Sequence, residues 1–411
     1  MPAPDLPRDL NEFLVGHEQE LIAFRRDLHA HPETAHAERR TTARVAQRLT
    51  AAGLRPRLMS SGTGLWADVG TGDGPMVALR ADLDALPIAD EKNVPYRSTV
   101  PNACHACGHD VHTTVLLGAG LYLAERARRG LLPGRVRLLF QPAEEVVEGA
   151  LAAMGEGAIT GVDKIFALHC DPRFEVGQLG LRVGPITGAC DKIRVQVSGP
   201  GGHTARPHLT ADLVYALGKI VTELPAALSR RVDPRSSLSL VWGRITAGLA
   251  PNAIPEEGFA AGTVRCLDEE AWHQAPDMLK GLVGSVASAY GVIAELDYVR
   301  GVPPAVNDED CVRLFGEAAE LALGPEAAAQ AQQSLGGEDV AWYLESIPGA
   351  LARLGIRGPQ TPTDLDIHQA NFDIDERAIG VGVKVMATTA LLALLDGSAS
   401  EKAVASTRGM A

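Results

Sequence analysis

Hydrophobic and polar positions alternate with helical periodicity near the start of the chain. In residues 12–53, the apolar side chains Phe13, Leu21 and Leu28 recur at near-helical spacing until Pro32 interrupts the pattern. A second helical pattern runs from about residue 39 to 52 and stops at a glycine. The sequence therefore predicts two consecutive helices in this region.

Short apolar runs bounded by turn residues follow these helices, with one long helical pattern at 111–130 among them. The runs cover residues 64–70, 75–83, 134–145 and 162–170. Strands that are apolar at nearly every position are buried on both faces, and they alternate with helices in α/β proteins. We therefore predict an α/β catalytic domain in which a mixed sheet is covered by helices. Polar residues recur where these strands stop, which is where open α/β sheets bind ligands.

The pattern changes near residue 188. From there the chain alternates at period two and then mixes strands and helices, in the segments 191–198, 212–228, 236–248, 257–268 and 271–291. This mixture is typical of an α+β unit, and helix and strand patterns like those before residue 188 return after it. We therefore predict a first part of the catalytic domain at 1–187, an inserted α+β lid or dimerisation domain at 188–300, and a second part of the catalytic domain at 301–411.

Composition narrows the class of protein. The 411 residues carry a formal net charge of −13, which disfavours nonspecific binding to nucleic acid or to an anionic membrane. No window of about 18 residues is uninterruptedly apolar, and the start lacks a basic stretch followed by an apolar one. The chain has six cysteines, too few to suggest a disulfide framework. We expect a cytoplasmic protein that binds neither membrane nor nucleic acid.

Candidate chemistry lies at the predicted strand ends. In "HACGHDVH", residues 105–112, Cys107 and His109 are two apart and can converge on one ion, since thiolate and imidazole are good ligands for late first-row metals. A second pair, Glu144 and Glu145, follows a buried strand, where two carboxylates are costly to desolvate without a nearby cation. One carboxylate could bind a metal while the other acts as a general base.

Two further histidines extend this set. His169 ends another predicted strand, and His368 lies among acids near the C-terminus. Each feature alone has an ordinary structural explanation, because strand-end histidines and paired glutamates are common on protein surfaces. The Cys104–Cys107 spacing, C-x-x-C, also leaves open a thiol redox site. The metal interpretation depends on all these residues lying at the ends of one sheet.

Nine ordered motifs make the chain resemble a known family. They read "RADLDALP", "HACGHDVH", "FQPAEE", "ALH", "GPGGHTARPH", "APNAIP", "GTVR", "GGEDVAWY" and "IHQANF", and the resemblance runs from about residue 25 to 386. The sequence resembles the aminoacylase/carboxypeptidase metallopeptidases. The most similar branch is that of hippurate hydrolases, N-acyl-L-amino acid amidohydrolases and auxin-conjugate hydrolases.

This resemblance implies a centre of two divalent metal ions per subunit. The implied metal ligands are Cys107, His109, Glu145, His169 and His368. Glu144 matches the general base of the family, and Asp84 matches the aspartate that orients the metal centre from behind its ligands. Asp82 and His112 are expected to be structural. Zinc, manganese, cobalt and nickel are all compatible with this mixture of sulfur, nitrogen and oxygen donors.

The resemblance implies a second set of residues in the inserted domain. His203 matches a histidine that reaches the active site of the partner subunit and polarises the scissile carbonyl, so a homodimer through this domain is expected. Asn252 and Arg265 match residues that bind substrate oxygens, and the planar fork of an arginine suits a carboxylate. Without the resemblance, "GPGGH" could be a plain hairpin and Arg265 a surface arginine.

The predicted function is hydrolysis of the amide bond of N-acyl amino acids, with acetyl, benzoyl or similar acyl groups, by a water that two metal ions activate. A dipeptidase or carboxypeptidase would use the same centre, and a non-catalytic metal-binding protein is the alternative of another class. One departure concerns the last histidine, which is followed by "QANF" where the branch commonly has proline two residues on. This departure bears on the identity of the substrate rather than on the chemistry.

Overall fold

The fold is described from a computed structural model. Its backbone is described for residues 6–408 except 363, and its side chains for residues 6–396 except 363. The α-helices of this part of the chain are α1 (Leu6–Ala30), α2 (Arg39–Ala51), α3 (His109–Arg128), α4 (Gly149–Gly155), α5 (Leu213–Leu228), α6 (Glu269–Ala289), α7 (Glu309–Leu323), α8 (Ala341–Ser346) and α9 (Arg377–Arg408).

The strands of the described residues extend from residue 57 to residue 357. They are β1 (Arg57–Leu58), β2 (Leu65–Val69), β3 (Met76–Asp82), β4 (Arg135–Gln141), β5 (Lys164–Glu175), β6 (Leu179–Leu181), β7 (Gly184–Thr187), β8 (Ala189–Ser198), β9 (Gly202–His203), β10 (Ser239–Ala247), β11 (Ala253–Ile254), β12 (Glu257–Cys266), β13 (Ile293–Val302), β14 (Ala305–Asn307), β15 (Ala328–Gln330) and β16 (Gly349–Arg357).

The described residues divide into two compact units. The second unit consists of Pro185–Ala305 together with Gln333–Ala341, and the first unit contains the rest. The segment Gln333–Ala341 therefore groups with the α+β unit, although the sequence pattern assigned it to the second part of the catalytic domain. No shift in composition marks that segment, because its place in the second unit depends on contacts distant in sequence.

The first unit is built on an eight-stranded mixed sheet, as the sequence predicts. The strand order is β1-β2-β4-β3-β5-β16-β6-β15, and the central strands β4, β3, β5 and β16 run parallel. Helices α1, α3, α7 and α9 pack together on the sheet. The carboxyl ends of the central strands lie at the same edge of the sheet, which brings polar residues that follow different strands close together.

The two faces of the central strands differ in chemistry, because successive side chains point to opposite faces. Leu79, Phe140 and Leu168 belong to the main apolar core. The alternate positions of the same region carry polar side chains that are also buried, namely Arg80, Asp82, Gln141, His169 and Arg353. Because buried polar groups are costly unless they are paired, this row indicates a functional face of the sheet.

The second unit is an antiparallel sheet with its own core. The strand order is β10-β12-β8-β13, and α5 and α6 pack on one face around a separate apolar cluster. A short antiparallel ribbon pairs β11 with β9. This arrangement has the α+β composition predicted for the insertion.

One described helix segment, Arg377–Asp396, is long and apolar enough to span a bilayer, and 78% of it is buried within the protein. Its apolar side chains, including Val383, Met386 and Leu394, belong to the main core. The apolar composition of this segment is thus used in packing, as in the core helix of a globular domain.

Candidate metal centre

The turn before α3 places two predicted ligands beside each other. Gly108 precedes the helix with a φ of 90°, a left-handed conformation that glycine adopts without strain. A Cβ on Gly108 would also collide with Cys170. The helical pattern predicted at 111–130 would leave both ligands in the loop before the helix, and this is wrong for His109, which is the first residue of α3. Cys107 remains in the loop, so the helix start fixes one ligand relative to the other.

The structure brings all five predicted metal ligands together. The donor atoms of Cys107, His109 and His169 lie within 4.8 Å of one another, and so do those of Cys107, Glu145 and His368. These two donor groups, named here the first and second donor groups, share the Cys107 sulfur. A set of thiolate, imidazole and carboxylate donors is suited to zinc and other divalent transition metals.

Buried polar atoms without hydrogen-bond partners also indicate that these residues could bind a divalent metal ion. Among the described residues, neither ring nitrogen of His109 has a well-formed hydrogen bond, and Glu145 Oε1 has no hydrogen-bond partner. A buried polar atom without a partner costs about 1–3 kcal/mol, so atoms of this kind in one cluster point to a missing ligand. A divalent cation would satisfy both the imidazole and the carboxylate.

The electrostatics of the cluster also call for a cation. His109 Nε2 lies 3.8 Å from Asp82 Oδ2, 3.9 Å from Glu144 Oε2 and 3.8 Å from Glu145 Oε1. Burial alone would lower the pKa of His109, but the charges of Asp82, Asp84 and Glu145 raise it to about 10. Burial also raises the pKa of Glu145 to about 7. A proton on His109 thus supplies the positive charge that the surrounding carboxylates require.

The tautomer of His169 suits a ligand role. Its Nδ1 donates to the backbone carbonyl of Cys170 at 2.7 Å, so the neutral ring leaves Nε2 without a proton. That nitrogen lies 3.4 Å from the Cys107 sulfur. Burial, together with the charge of Arg353 on the neighbouring strand, lowers the pKa of His169 and keeps the ring neutral. His368 is 47% exposed in its side chain, and its Nε2 lies 3.5 Å from Glu145 Oε1.

Asp84 orients the loop that carries Glu144 and Glu145. Its two carboxylate oxygens accept the backbone N–H groups of these residues at 3.1 and 3.0 Å, respectively. Asp84 Oδ1 also lies 3.3 Å from His109 Nδ1. A single buried carboxylate therefore holds the loop of the predicted base in place and faces the ring of one predicted ligand. The orienting role that the resemblance implies remains a prediction, and this geometry is compatible with it.

His112 forms a separate bonded unit with Asp82. Its Nδ1 lies 2.6 Å from Asp82 Oδ1, and its Nε2 accepts the backbone N–H of Cys170 at 2.8 Å. Both ring nitrogens are thereby engaged, with the proton on Nδ1. Asp82, His109 and His112 do form a cluster that could hold an ion, but these short bonds favour a structural role for His112. His112 joins β3, α3 and β5 in this way.

Sequence reasoning missed the residues that support Asp82 from the side. Arg80 donates to Asp82 Oδ2 at 2.8 Å and to Gln141 Oε1 at 3.0 Å, and the Tyr343 hydroxyl also donates to Gln141 Oε1. Arg80 could have been recognised from the sequence, because a charged residue inside the apolar strand "PMVALRADL" indicates that its side chain faces other polar groups. No feature of the sequence around Gln141 or Tyr343 indicated that these residues belong to the polar cluster.

Two predicted residues of the second unit lie side by side. His203 is on β9 and Asn252 directly precedes β11, and Ala253 pairs with His203 in the ribbon. Both residues are exposed. His203 Nδ1 accepts the backbone N–H of Ala205 at 3.0 Å, so the proton of a neutral ring is on Nε2. His203 can therefore donate a hydrogen bond to an oxygen outside this ribbon.

Arg265 lies far from that ribbon within the same unit. It is near the end of β12, while Glu257, which begins β12, follows the ribbon directly. Eight residues of extended chain span about 26 Å at the usual rise per residue. Arg265 donates to the backbone carbonyl of Leu335, in the Gln333–Ala341 segment. The three residues predicted to bind the substrate thus fall into two separate places on the second unit.

A redox role for Cys104 and Cys107 has little support from the geometry. All six cysteines are free, and burial raises the pKa of the Cys104 thiol to about 11. A reactive cysteine needs a thiolate, which such burial disfavours. The Cys107 sulfur, in contrast, faces His169 and belongs to both donor groups.

Comparison with known proteins relates the chain to one family of hydrolases. The model of Peptidase family M20/M25/M40 matches residues 78–392. The N-acetyl-L-cysteine deacetylase of Bacillus subtilis (strain 168) is 39% identical over 367 residues, which cover 88% of this chain and 85% of the relative. A longer protein of Rhodococcus jostii (strain RHA1), whose name refers to a glutamate–cysteine ligase, is 49% identical over 370 residues. This match covers 90% of this chain but only 46% of that relative.

A solved structure shares the fold. The YxeP protein of Bacillus subtilis, described as a dinuclear metal binding peptidase, superposes with a TM-score of 0.82 at 33% identity. The match covers 92% of this chain and 99% of the other. The similarity therefore extends over both compact units rather than over the metal-binding motifs alone.

Proposed function

We propose that this chain, which belongs to Peptidase family M20/M25/M40, hydrolyses the amide bond of N-acyl amino acids. Family membership confirms the predicted resemblance and identifies the chain as a metal-dependent hydrolase. The observation that carries the proposal is the pair of donor groups that share Cys107, with the Glu144 carboxylate buried next to them. The 39% identity to an N-acetyl-L-cysteine deacetylase supports an N-acyl amino acid as the substrate.

The first donor group would hold one divalent ion and the second donor group another, with the Cys107 sulfur common to both. When bound, the ions act as Lewis acids that polarise oxygen atoms and lower the barrier to hydrolysis. Zinc, manganese, cobalt and nickel all accept this donor set. The number and identity of the ions are part of the proposal.

Glu144 would act as the general base. Its side chain is 8% exposed, and its Oε2 lies 3.9 Å from His109 Nε2, so it faces the donor groups. In the proposed reaction Glu144 removes a proton from the attacking water, a C–O bond forms at the amide carbonyl, and the C–N bond breaks. Glu144 then delivers the proton to the leaving amine, which yields a carboxylic acid and a free amino acid.

The second unit would supply substrate contacts in a homodimer. Because the His203–Asn252 ribbon and Arg265 lie at opposite ends of β12, a single copy of this unit does not bring them together. We propose that His203 donates to the substrate carbonyl in the site of the partner subunit and stabilises the developing oxyanion. Asn252 and Arg265 would bind substrate oxygens, and the unit would act as a lid and dimerisation domain. We place the reaction in the cytoplasm.

The test combines metal analysis with a substrate panel. The purified protein is assayed with N-acetyl and N-benzoyl amino acids and with dipeptides, before and after treatment with a chelator. We expect amide hydrolysis that depends on a bound divalent metal and is faster for N-acyl amino acids. A preference for dipeptides would instead identify the chain as a dipeptidase with the same centre. Absence of both metal and hydrolysis would refute the proposal.

Two neighbouring glutamates provide matched variants for the assigned roles. Glu144→Gln removes the base but no member of the first or second donor group, so we expect it to retain the metal and lose activity by roughly 10²–10⁴-fold. Glu145→Gln removes a donor of the second donor group, so we expect a lower metal content. If the two variants exchanged these properties, the roles of Glu144 and Glu145 would have to be exchanged as well.

A further inference from the structure

Glu38 is a buried glutamate that does not serve the helix at whose start it lies. It occupies the N-cap position of α2, yet its side chain makes no capping hydrogen bond. The backbone N–H groups at the start of α2, which have no partner within the helix, are instead bound by Glu33, which accepts those of Arg40 and Thr41 at 2.9 and 2.8 Å. The Glu38 carboxylate therefore does not cap α2 and can bind a group outside this helix.

The partner of Glu38 is the loop that carries Glu144 and Glu145. Glu38 Oε1 accepts the backbone N–H of Ala143 at 2.8 Å. The next two N–H groups along the chain, those of Glu144 and Glu145, donate to Asp84. Three consecutive backbone donors are thus bound by two buried carboxylates from different parts of the chain, which fixes the direction of the loop.

This loop has a backbone conformation that it would not hold unaided. Ala143 has a φ of 54° and Val147 a φ of 59°, both in the left-handed region that residues with a Cβ rarely adopt. A Cβ at Gly149, where the loop ends, would overlap the carbonyl oxygen of Pro142. Strained backbone of this kind persists only where the surroundings determine it. The N–H of Ala143, the first strained residue, is bound by Glu38, while its carbonyl oxygen accepts the N–H groups of Glu148 and Gly149 at the end of the same loop. Glu38 is thus the contact to Ala143 that comes from outside the loop.

We propose that Glu38 is a positioning residue for the reaction. By binding the N–H of Ala143 it keeps that residue left-handed and so directs the Glu144 carboxylate toward the donor groups and the Glu145 carboxylate into the second donor group. The inference rests on the proposed function in that Glu144 and Glu145 serve the reaction, but it concerns a residue outside every motif that matched the family. Glutamine has nearly the shape of glutamate and keeps a side-chain oxygen that can accept the N–H of Ala143, so it is a close mimic of Glu38 at this position.

The test compares three substitutions of Glu38 in the metal-loaded protein. Glu38→Gln keeps an oxygen that can accept the N–H of Ala143, whereas Glu38→Ala leaves that buried N–H without a partner. We expect Glu38→Ala to lower kcat at least about tenfold with KM changed by less than about threefold, and to weaken Zn²⁺ binding, measured against a chromogenic chelator, by at least about tenfold. We expect Glu38→Gln to remain within about threefold of the wild type in all three measurements.

Glu33→Ala is the matched control, because it also removes a nearby glutamate that binds backbone N–H groups, but those of α2 rather than that of Ala143. We expect it to lower the melting temperature while kcat and Zn²⁺ affinity stay within about threefold of the wild type. If Glu38→Ala does not fold, Glu38→Asp replaces it, since the shorter side chain withdraws the acceptor by one methylene and should give a folded protein with an intermediate loss of kcat.

Several outcomes would overturn the proposal. They are wild-type kcat and Zn²⁺ affinity in Glu38→Ala, wild-type kcat in a folded Glu38→Asp, equal damage in Glu38→Gln and Glu38→Ala, or the same losses in Glu33→Ala. If the wild type hydrolysed no amide, the proposed function would fail, while the comparison of Zn²⁺ affinities would still test the role of Glu38 in holding the loop.

Discussion

The bonds of His112 give a prediction that separates a structural histidine from a metal ligand. His112→Ala removes the donor to Asp82 Oδ1, at 2.6 Å, and the acceptor of the Cys170 N–H, at 2.8 Å. A hydrogen bond to a charged group contributes about 1.5–3 kcal/mol, and an unsatisfied buried N–H costs about 1–3 kcal/mol. Since Asp82 keeps its bond from Arg80, we expect a loss of about 3–5 kcal/mol in the free energy of unfolding.

This loss is measured by urea and thermal unfolding of the metal-free protein. The unfolding entropy is about 2.1 cal/mol/K per residue, so in a unit of about 280 residues a change of 1 kcal/mol shifts the melting temperature by about 2 °C, and we expect a shift of about 5–8 °C for the first unit. The ratio of bound Zn²⁺ to folded protein should equal that of the wild type. His112→Asn, which keeps one N–H toward Asp82, should lose less stability.

His109→Ala is the contrasting variant, because His109 belongs to the first donor group and forms no well-formed hydrogen bond among the described residues. It should lose metal, and it should also destabilise the metal-free protein, because its positive charge among the buried carboxylates is removed. The ratio of bound Zn²⁺ to folded protein is therefore the measurement that separates the two variants. The reasoning would be refuted if His112→Ala lowered the Zn²⁺ ratio while its unfolding free energy matched the wild type, because His112 would then be a ligand.

Three further predictions concern the loop, the second unit and the response to acid. Gly149→Ala places a Cβ against the carbonyl of Pro142 and should lower kcat at least tenfold, whereas Gly155→Ala in the same helix meets no atom within 4 Å and should leave kcat unchanged. Tyr298→Phe removes a bond of 2.6 Å to the buried Asp191 carboxylate and should cost about 1.5–3 kcal/mol in thermal unfolding without loss of metal. Burial alone would raise the pKa of Asp90, but hydrogen bonds from His29, Ser98 and Lys92 hold it well below its usual range. Its contribution to stability is therefore present above the unfolded pKa of about 4 and is lost as the pH falls. Asp90→Asn should thus show a flatter decline of the urea midpoint between about pH 6 and 3 in the metal-free protein, and parallel curves would contradict this assignment.

The main elements of the fold could be predicted because their side-chain periodicity is local. The apolar runs at 64–70 and 75–83 correspond to β2 and β3, and the helical pattern at 111–130 corresponds to α3. The start of α1 at Leu6 was missed, because the prolines near the start obscure the helical pattern. The membership of Gln333–Ala341 in the second unit could not be predicted, because the composition of this segment does not differ from that of its neighbours.

In the candidate site, too, some residues could be predicted from the sequence and others could not. Residue type and position in the chain pointed to Cys107, His109, His169 and His368 and to the pair Glu144 and Glu145, and the family resemblance implied Glu145 as the ligand of that pair. The structure brings the five implied ligands together. The supporting residues could not be found in this way. Glu38 lies at the start of a helix, where acidic residues are ordinary, and Ala143 and Val147 give no indication of a left-handed backbone because neither is glycine. Their roles arise from contacts between segments about a hundred residues apart.

The sharing of Cys107 between the two donor groups has a consequence for the order of events during synthesis. The first donor group uses residues between 107 and 169, all of which precede the second unit in the chain, whereas the second donor group also needs His368, which follows that unit. A growing polypeptide therefore contains every residue of the first donor group long before it contains the last residue of the second donor group. If each donor group binds one metal ion, as proposed, the first donor group could bind its ion during synthesis, before the second donor group is complete. The order of metal binding would then follow the order in which the residues are synthesised.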